Sequence, residues 1–237
     1  MSRGPAAVVS VALVVAAIAA AGCDGDIDPA WQLDHDRIVA VRATPPAIQP
    51  GETSTLDALI AQKGAKTSVA APEAALVASP ASLSDAVAFK DGNWVVTAPS
   101  AERLAAVRTE LGLAAGAPVP LQVGVAYANQ TLAAVKTVLL GQTAVNPTLA
   151  DVEIDDQAAP MSELVVGKLV NVPLSIDAND NDYDVAWLTS CGTMHDFDLP
   201  SAYLKVEDDD PDAGELAVVL RDSAGGVAWA VWPIHAQ

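Results

Sequence analysis

Residues 177–184, with the sequence DANDNDYD, carry a dense group of side chains that end in oxygen. Ca²⁺ takes about 6–8 oxygen ligands, so the run is a candidate calcium loop. It lacks the glycine of an EF-hand loop, which excludes that mechanism. The alternative is a solvated turn, because Asp and Asn favour turn geometry. The candidate ligands, of which the last lies in the later turn RDSAGG, are Asp177, Asn179, Asp180, Asp182, Asp184 and Asp222.

The run CGTMHDFD, residues 191–198, places a cysteine and a histidine close together in the sequence. A Cys-His enzyme needs the histidine within hydrogen-bond reach of the sulfur. Strand alternation instead places Cys191 on the same face as Trp187, which points the sulfur into a core, where thiols are inert. We therefore expect a structural Cys191, a surface His195 and no catalytic activity. A thiol enzyme stays open as the alternative, and fast labelling of native Cys191 by a thiol reagent would favour it.

The charge of the chain limits its partners. Acidic residues number 30 against 12 Lys and Arg, which gives a formal net charge of −18. Such a surface repels phosphate backbones and attracts cations and basic partners, so nucleic-acid binding is excluded. Because 51% of the residues are hydrophobic, the chain can form real cores despite its charge.

The N-terminal residues have the pattern of an export signal. Arg3 precedes an apolar stretch at residues 6–21, which is shorter than the roughly 20 residues of a membrane-spanning helix. The residues AAG before Cys23 resemble the lipobox of bacterial lipoproteins, whose cysteine sulfur carries a diacylglyceryl group. The resemblance implies cleavage before Cys23, anchoring by acyl groups such as palmitate, and a place in the bacterial cell envelope, on either the inner or the outer membrane. The alternative is an ordinary secretory signal with an incidental cysteine.

Short apolar runs broken by Pro and Gly dominate the rest of the chain, which predicts an all-β protein. Residues 36–61 read as two strands separated by a proline-rich turn. Residues 119–140 and 216–234 read as hairpins. The best helix spans residues 100–111, with Ser100 as its cap.

Two stretches of the second half carry a resemblance to a known family. The runs DVAWLTSCG and GELAVVLRDSAGGVAWAVWPI resemble the later strands of immunoglobulin-like (Ig-like) domains of the PKD and bacterial kinds, in which Trp187 matches the core tryptophan. VAVRATPPAIQPGETSTLDALI similarly resembles their opening strands. The resemblance implies two tandem Ig-like β-sandwiches, the first with a short inserted helix. The predicted divisions are a signal peptide at 1–22, a lipidated tether at 23–35, and Ig-like domains at 36–145 and 146–237.

The Ig-like topology also predicts where the acidic loops lie. Residues 177–184 would share one end of the second sandwich with the RDSAGG turn and the linker near Asn146, provided that a short strand forms near Asp196. The acidic run at 207–212 would lie at the opposite end. The combined prediction is a lipid-anchored envelope protein that acts as a non-catalytic spacer or binding module, held to the membrane through Cys23, with an envelope protein as its partner. The alternative is an adhesion or assembly factor stiffened by calcium at the joint between the domains.

Overall fold

The computed structural model describes residues 29–149, 151–160, 162–178 and 183–237. The predicted signal peptide and Cys23 lie outside the described residues. Of the helices in the described ranges, none has both the length and the apolar character that crossing a membrane requires.

The first half of the chain forms two sheets. Their strands are β1 (Arg37–Thr44), β2 (Ala47–Ile48), β3 (Thr53–Ala61), β4 (Ser68–Ala70), β5 (Ala74–Ser79), β6 (Val87–Lys90), β7 (Asn93–Thr97), β8 (Val119–Tyr127) and β9 (Leu132–Leu140). One sheet has the order β1-β3-β7-β6, with β4 beside β3, and the other has the order β2-β9-β8-β5. The helix α1 (Ala101–Glu110) connects β7 to β8, and a short 3₁₀ turn, Ala81–Leu83, follows β5.

The second half repeats this arrangement. Its strands are β10 (Glu153–Ile154), β11 (Gln157–Ala158), β12 (Leu164–Val166), β13 (Asn171–Ser175), β14 (Tyr183–Thr189), β15 (Thr193–His195), β16 (Ser201–Lys205), β17 (Ala213–Asp222) and β18 (Val227–Ala236). One sheet has the order β11-β10-β13-β16-β15, and the other has the order β12-β18-β17-β14. In both halves a short strand, β2 or β12, runs parallel to the last strand of its half.

This strand order defines the fold. In an Ig-like sandwich the strands A, B, E and D form one sheet and C, F and G form the other. Strands β1, β3, β7 and β6 have the first order, and β5, β8 and β9 have the second. The second half matches in the same way, with β10, β13, β16 and β15 opposite β14, β17 and β18. The protein is therefore all-β, with two tandem Ig-like β-sandwiches and a short helix inserted in the first, as predicted.

Alternating apolar residues build a separate core in each sandwich. Along β8, every second side chain from Val119 to Tyr127 is buried, which is the pattern of a strand with one face on a core. In the second sandwich Trp187 of β14 is fully buried and donates a hydrogen bond to the Leu199 carbonyl (Nε1 to O, 3.1 Å). Trp187 thus occupies the core position that the sequence predicts.

Two local predictions differ from the structure in detail. Ser100 caps α1 as expected, since its Oγ accepts a hydrogen bond from the Arg103 amide, but the helix ends at Glu110. Leu111, the last residue of the predicted helix, is exposed, because the chain turns away at Gly112, whose φ of +68° ends the helix. The predicted proline-rich turn between the first strands contains β2, which crosses to the opposite sheet and pairs with β9.

Candidate functional site

A third apolar cluster lies where the two sandwiches meet. It joins the outer face of β1 and β3 in the first sandwich to the outer face of β14, β17 and β18 in the second. We call it the junction cluster, and its buried members are Leu33, Val39, Ala40, Leu59, Ala61, Leu188, Ala217, Val219 and Val227. Burying a Val or Leu side chain contributes about 1.5–3 kcal/mol, so this contact favours one fixed arrangement of the two sandwiches.

Strand β17 explains how the junction cluster is built. Its residues Leu216, Val218 and Leu220 point into the core of the second sandwich, while the alternate residues Ala217 and Val219 point into the junction cluster. Both faces of the strand are therefore buried, which accounts for the continuous apolar run LAVVL.

Asn146 links the two sandwiches by hydrogen bonds in both directions. Its side-chain amide donates to the Ala43 carbonyl in β1 (Nδ2 to O, 3.0 Å). Its side-chain oxygen accepts from the Val227 amide at the start of β18 (2.9 Å). The predicted linker residue is thus fixed to both sides of the junction.

Two further side-chain contacts connect the first sandwich to the second. Glu215 of β17 is 8% exposed, and its carboxylate accepts a hydrogen bond from the Thr67 amide of the first sandwich (2.7 Å). The Arg42 guanidinium lies 4.0 Å above the ring of Trp229 in β18, a cation–π contact, and also pairs with Asp57. Along β18, strand alternation places Trp232 in the core of the second sandwich and Trp229 on the outer face of the same sheet. Trp229 packs against the junction cluster, so the first sandwich covers it.

An open cleft of about 490 Å³ borders the junction cluster. Aliphatic residues of β1 and β9 form most of its wall, and the turn between β17 and β18 closes one side. We call it the junction cleft. Two cations line it, Lys136 of β9 and Arg221 of β17. Among the described residues that line it, none carries a carboxylate.

Both cations make one hydrogen bond across the junction. The Lys136 ammonium donates to the Gly225 carbonyl in the second sandwich (Nζ to O, 2.5 Å). The Arg221 guanidinium donates to the Val39 carbonyl in the first (Nη2 to O, 2.9 Å). Each cation thus reaches from its own sandwich to the backbone of the other.

Burial perturbs the proton affinity of these cations. The pKa of Lys136 falls to about 8, mainly because burial desolvates the ammonium; the charge of Asp222 opposes this shift, and the charge of Arg221 makes a smaller contribution in the same direction as burial. Desolvation also lowers the pKa of Arg221, against the opposing charge of Asp184. Burial lowers the pKa of Arg37 in β1, and the charge of the nearby Arg221 lowers it further. Three cationic side chains, Lys136, Arg221 and Arg37, therefore lie near one another at the junction, and Asp222 and Asp184 partly oppose their charge.

Sequence reasoning missed Lys136 and Arg221. The signal for Lys136 was present in the run AAVKTVLL, where the lysine has the same strand parity as the buried Val138 and Leu140. For Arg221 there was no local signal, because its neighbour Val39 is distant in the sequence.

The structure places Asp184 and Asp222 at the same end of the second sandwich, on neighbouring strands but on opposite faces of the sheet. Asp184 lies opposite Arg221, and Tyr183 lies opposite Asp222, in the pairing of β14 with β17. Asp222 accepts a hydrogen bond from the Gly226 amide (2.6 Å), which holds the RDSAGG turn. Asp177 follows β13 at the same end of the sandwich. The remaining ligands, Asn179, Asp180 and Asp182, lie outside the described residues.

The described ends of the first acidic run, Asp177 and Tyr183, therefore lie at the predicted end of the sandwich, because β15 supplies the short strand near Asp196. The run at residues 207–212 connects β16 to β17 at the opposite end of the second sandwich, where Lys168 pairs with Asp212 (2.5 Å). Within the described ranges, no three His, Cys, Asp or Glu side chains are arranged to hold a metal ion. Calcium binding by residues 177–184 stays a prediction.

Cys191 and His195 have different environments. Cys191 is fully buried in the core of the second sandwich, and its Sγ donates to the Pro211 carbonyl (2.8 Å). Burial raises the pKa of the Cys191 thiol, an effect that the nearby Asp210 increases. His195 is half-buried and stacks on Tyr203, with ring centroids 4.4 Å apart. This thiol lacks the exposure and the lowered pKa of a catalytic nucleophile, and His195 is engaged elsewhere.

Comparison with known proteins adds little to the fold assignment that the strand order already gives. No family model and no curated protein matches the chain. Solved structures that resemble it include the tandem Ig repeats of Dlar, at 10% identity and a TM-score of 0.30 over 86% of this chain and 98% of that one. Fibronectin(III)-like modules of Clostridium thermocellum CbhA match at 12% identity and a TM-score of 0.29, over 84% of this chain and 94% of theirs.

A nucleoside hydrolase-related hypothetical protein from Saccharophagus degradans is also similar, at 15% identity and a TM-score of 0.31. That match covers 40% of this chain and only 26% of the other. The strand order, rather than these distant likenesses, places the chain in the class of tandem Ig-like β-sandwich proteins.

Proposed function

We propose that this protein is a lipid-anchored component of the bacterial cell envelope that acts as a non-catalytic spacer or binding module. The junction cluster is the observation that carries the proposal. A pair of β-sandwiches joined by a flexible linker transmits no fixed orientation, whereas a shared apolar contact reinforced by Asn146 and Glu215 makes the two sandwiches one stiff body. A stiff body on a lipid anchor holds its far surface at a defined distance from the membrane.

The anchor follows from the resemblance of residues 20–23 to a lipobox. We expect the intact mass of protein extracted from bacterial membranes to correspond to a chain that begins at Cys23 and carries acyl groups. A Cys23→Ser variant should lose the lipid mass and leave the membrane fraction, because each buried methylene contributes about 0.8 kcal/mol to membrane binding.

A Cys191→Ser variant is the matched control, since it removes the other cysteine of the chain and should keep the lipid. A mature wild-type chain that starts elsewhere and carries no lipid would show that the protein is freely secreted, and the tethered spacer would be wrong.

A second candidate is the adhesion or assembly factor stiffened by calcium. It is favoured by the pairing of Tyr183 with Asp222, which brings one end of the acidic loop to the turn that borders the junction. An ion bound only by the folded chain must raise its Tm. We therefore expect a higher Tm in millimolar Ca²⁺ than in EDTA.

In an Asp222→Asn variant that difference should shrink, because the amide oxygen can still accept from the Gly226 amide but the charge is lost. Asp208→Asn removes an acidic charge at the opposite end of the sandwich and should leave the difference unchanged. Equal Tm values for the wild type in Ca²⁺ and in EDTA would eliminate this candidate.

A further inference from the structure

We propose that the junction cleft is a binding site for a small organic anion that has one carboxylate and an aliphatic body. This proposal rests on one part of the proposed function, the role as a binding module. It does not depend on the lipid anchor or on a spacer role, because neither of these requires a ligand in the cleft.

The position and size of the junction cleft fit a ligand site. Small-molecule sites occur preferentially where domains meet, with volumes of about 300–1,000 Å³, mostly apolar walls and a few convergent polar groups. The cleft has about 490 Å³, and its wall combines aliphatic side chains such as Ile38, Val41 and Val135 with the two cations.

The charge of the cleft selects an anion. Lys and Arg together number 12 against 30 acidic residues, yet the described lining has two cations and no carboxylate. Asp222 and Asp184 influence these cations from outside the lining, and Arg37 adds a third positive charge nearby. An anion that enters the cleft is attracted by two cations, and the described lining has no carboxylate to repel it.

The two cations have donors to spare. A lysine ammonium has three N–H donors, and among the described residues Lys136 gives one of them to Gly225. An arginine guanidinium has five donors in a planar fork, and in the same part of the chain Arg221 gives one to Val39. The Arg221 fork matches the two oxygens of a carboxylate, and burial strengthens such a charge-assisted pair.

The apolar wall decides between classes of anion. A strongly hydrated inorganic ion gains nothing from aliphatic neighbours, whereas the hydrocarbon part of an organic acid is stabilised by burial against them. The structure therefore favours a carboxylate with a short aliphatic chain over inorganic phosphate. Hexanoate is a suitable probe, and hexanamide has the same shape without the charge.

The test is a titration of the full-length mature chain with hexanoate, in which binding is measured by NMR and by calorimetry. We expect saturable binding of hexanoate and no measurable binding of hexanamide. Lys136→Met and Arg221→Gln should each weaken hexanoate binding by about tenfold or more, because each variant removes a charge-assisted hydrogen bond to the carboxylate. Lys90→Met removes an exposed lysine on β6, outside the cleft, and should bind as the wild type does.

A variant that blocks the cleft without removing a charge keeps the proposal testable if the two charge variants fail to fold. Ala133 lines the cleft but is exposed, so Ala133→Phe should narrow the cleft and weaken hexanoate binding while both cations remain in place. Absence of saturable hexanoate binding, or equal binding by the wild type and Ala133→Phe, would overturn the proposal. Binding of inorganic phosphate without binding of hexanoate would also overturn it. None of these failures would affect the anchored spacer, which is tested by the mass of the extracted chain.

Discussion

A Val219→Asp substitution is expected to separate the two sandwiches without unfolding either of them. Val219 is fully buried in the junction cluster, and its neighbours across the sheet are Ala186 and Trp229, which pack against the same cluster. An uncompensated buried charge costs about 3–5 kcal/mol, and the chain can avoid that cost by opening the junction to water. We expect scanning calorimetry to resolve two transitions in the variant, and small-angle scattering to give a larger radius of gyration.

Val218→Asp is the matched control, because Val218 is the same residue type one position earlier, is equally buried, and faces the core of the second sandwich instead. There the carboxylate has no way to reach water except by unfolding of that sandwich. We expect only the transition of the first sandwich to remain, with the tryptophan emission of the chain shifted to longer wavelength because Trp187 becomes exposed. A Val219→Asp chain that melts in one step at the wild-type temperature would contradict the stiff two-sandwich body.

The architecture of each sandwich was predictable because local patterns indicate the strands and the resemblance to Ig-like domains implies their arrangement. Strand alternation placed Trp187 and Cys191 in a core, and the Gly-Gly turn defined the last hairpin. The predicted placement of the two acidic loops at opposite ends required the Ig-like topology that the resemblance implies, together with the strand count. These properties require only the side chains of neighbouring residues and the order of the strands.

The junction was not predictable in the same way, because it depends on the packing of distant strands. The run LAVVL in β17 has no alternation, and that signals burial on both faces, but it does not say what covers the second face. The sequence indicates Asn146 only as part of a linker between the two domains. Its hydrogen bonds to Ala43 and Val227 join residues that are far apart in the sequence, so no spacing rule could reveal them.

Lys136 should make the stability of the protein depend on pH in a direction that can be stated in advance. Its pKa falls from an ordinary value of 10.5 to about 8 in the folded chain, mainly through burial, while Asp222 and Arg221 act in opposite directions. Between these two pH values the unfolded chain holds a proton that the folded chain does not, so the contribution of Lys136 to stability rises with pH. The cost of burying the ammonium is present in full below pH 8 and disappears above about 10.5.

The measurement is the free energy of unfolding of the wild type and of Lys136→Met by denaturant titration, at pH 7 and at pH 10.5. The difference between wild type and variant isolates Lys136, because the other titrating groups are common to both chains. We expect the free energy of unfolding of the wild type to rise relative to that of Lys136→Met by up to about 3 kcal/mol between pH 7 and pH 10.5, since each unit of pKa shift corresponds to about 1.4 kcal/mol. Lys90→Met, which removes a lysine that water already solvates, should show no such change. A difference that stays constant across this range would mean that the Lys136 ammonium is solvated in the folded chain, and the junction would then be open at the very point where Lys136 meets Gly225.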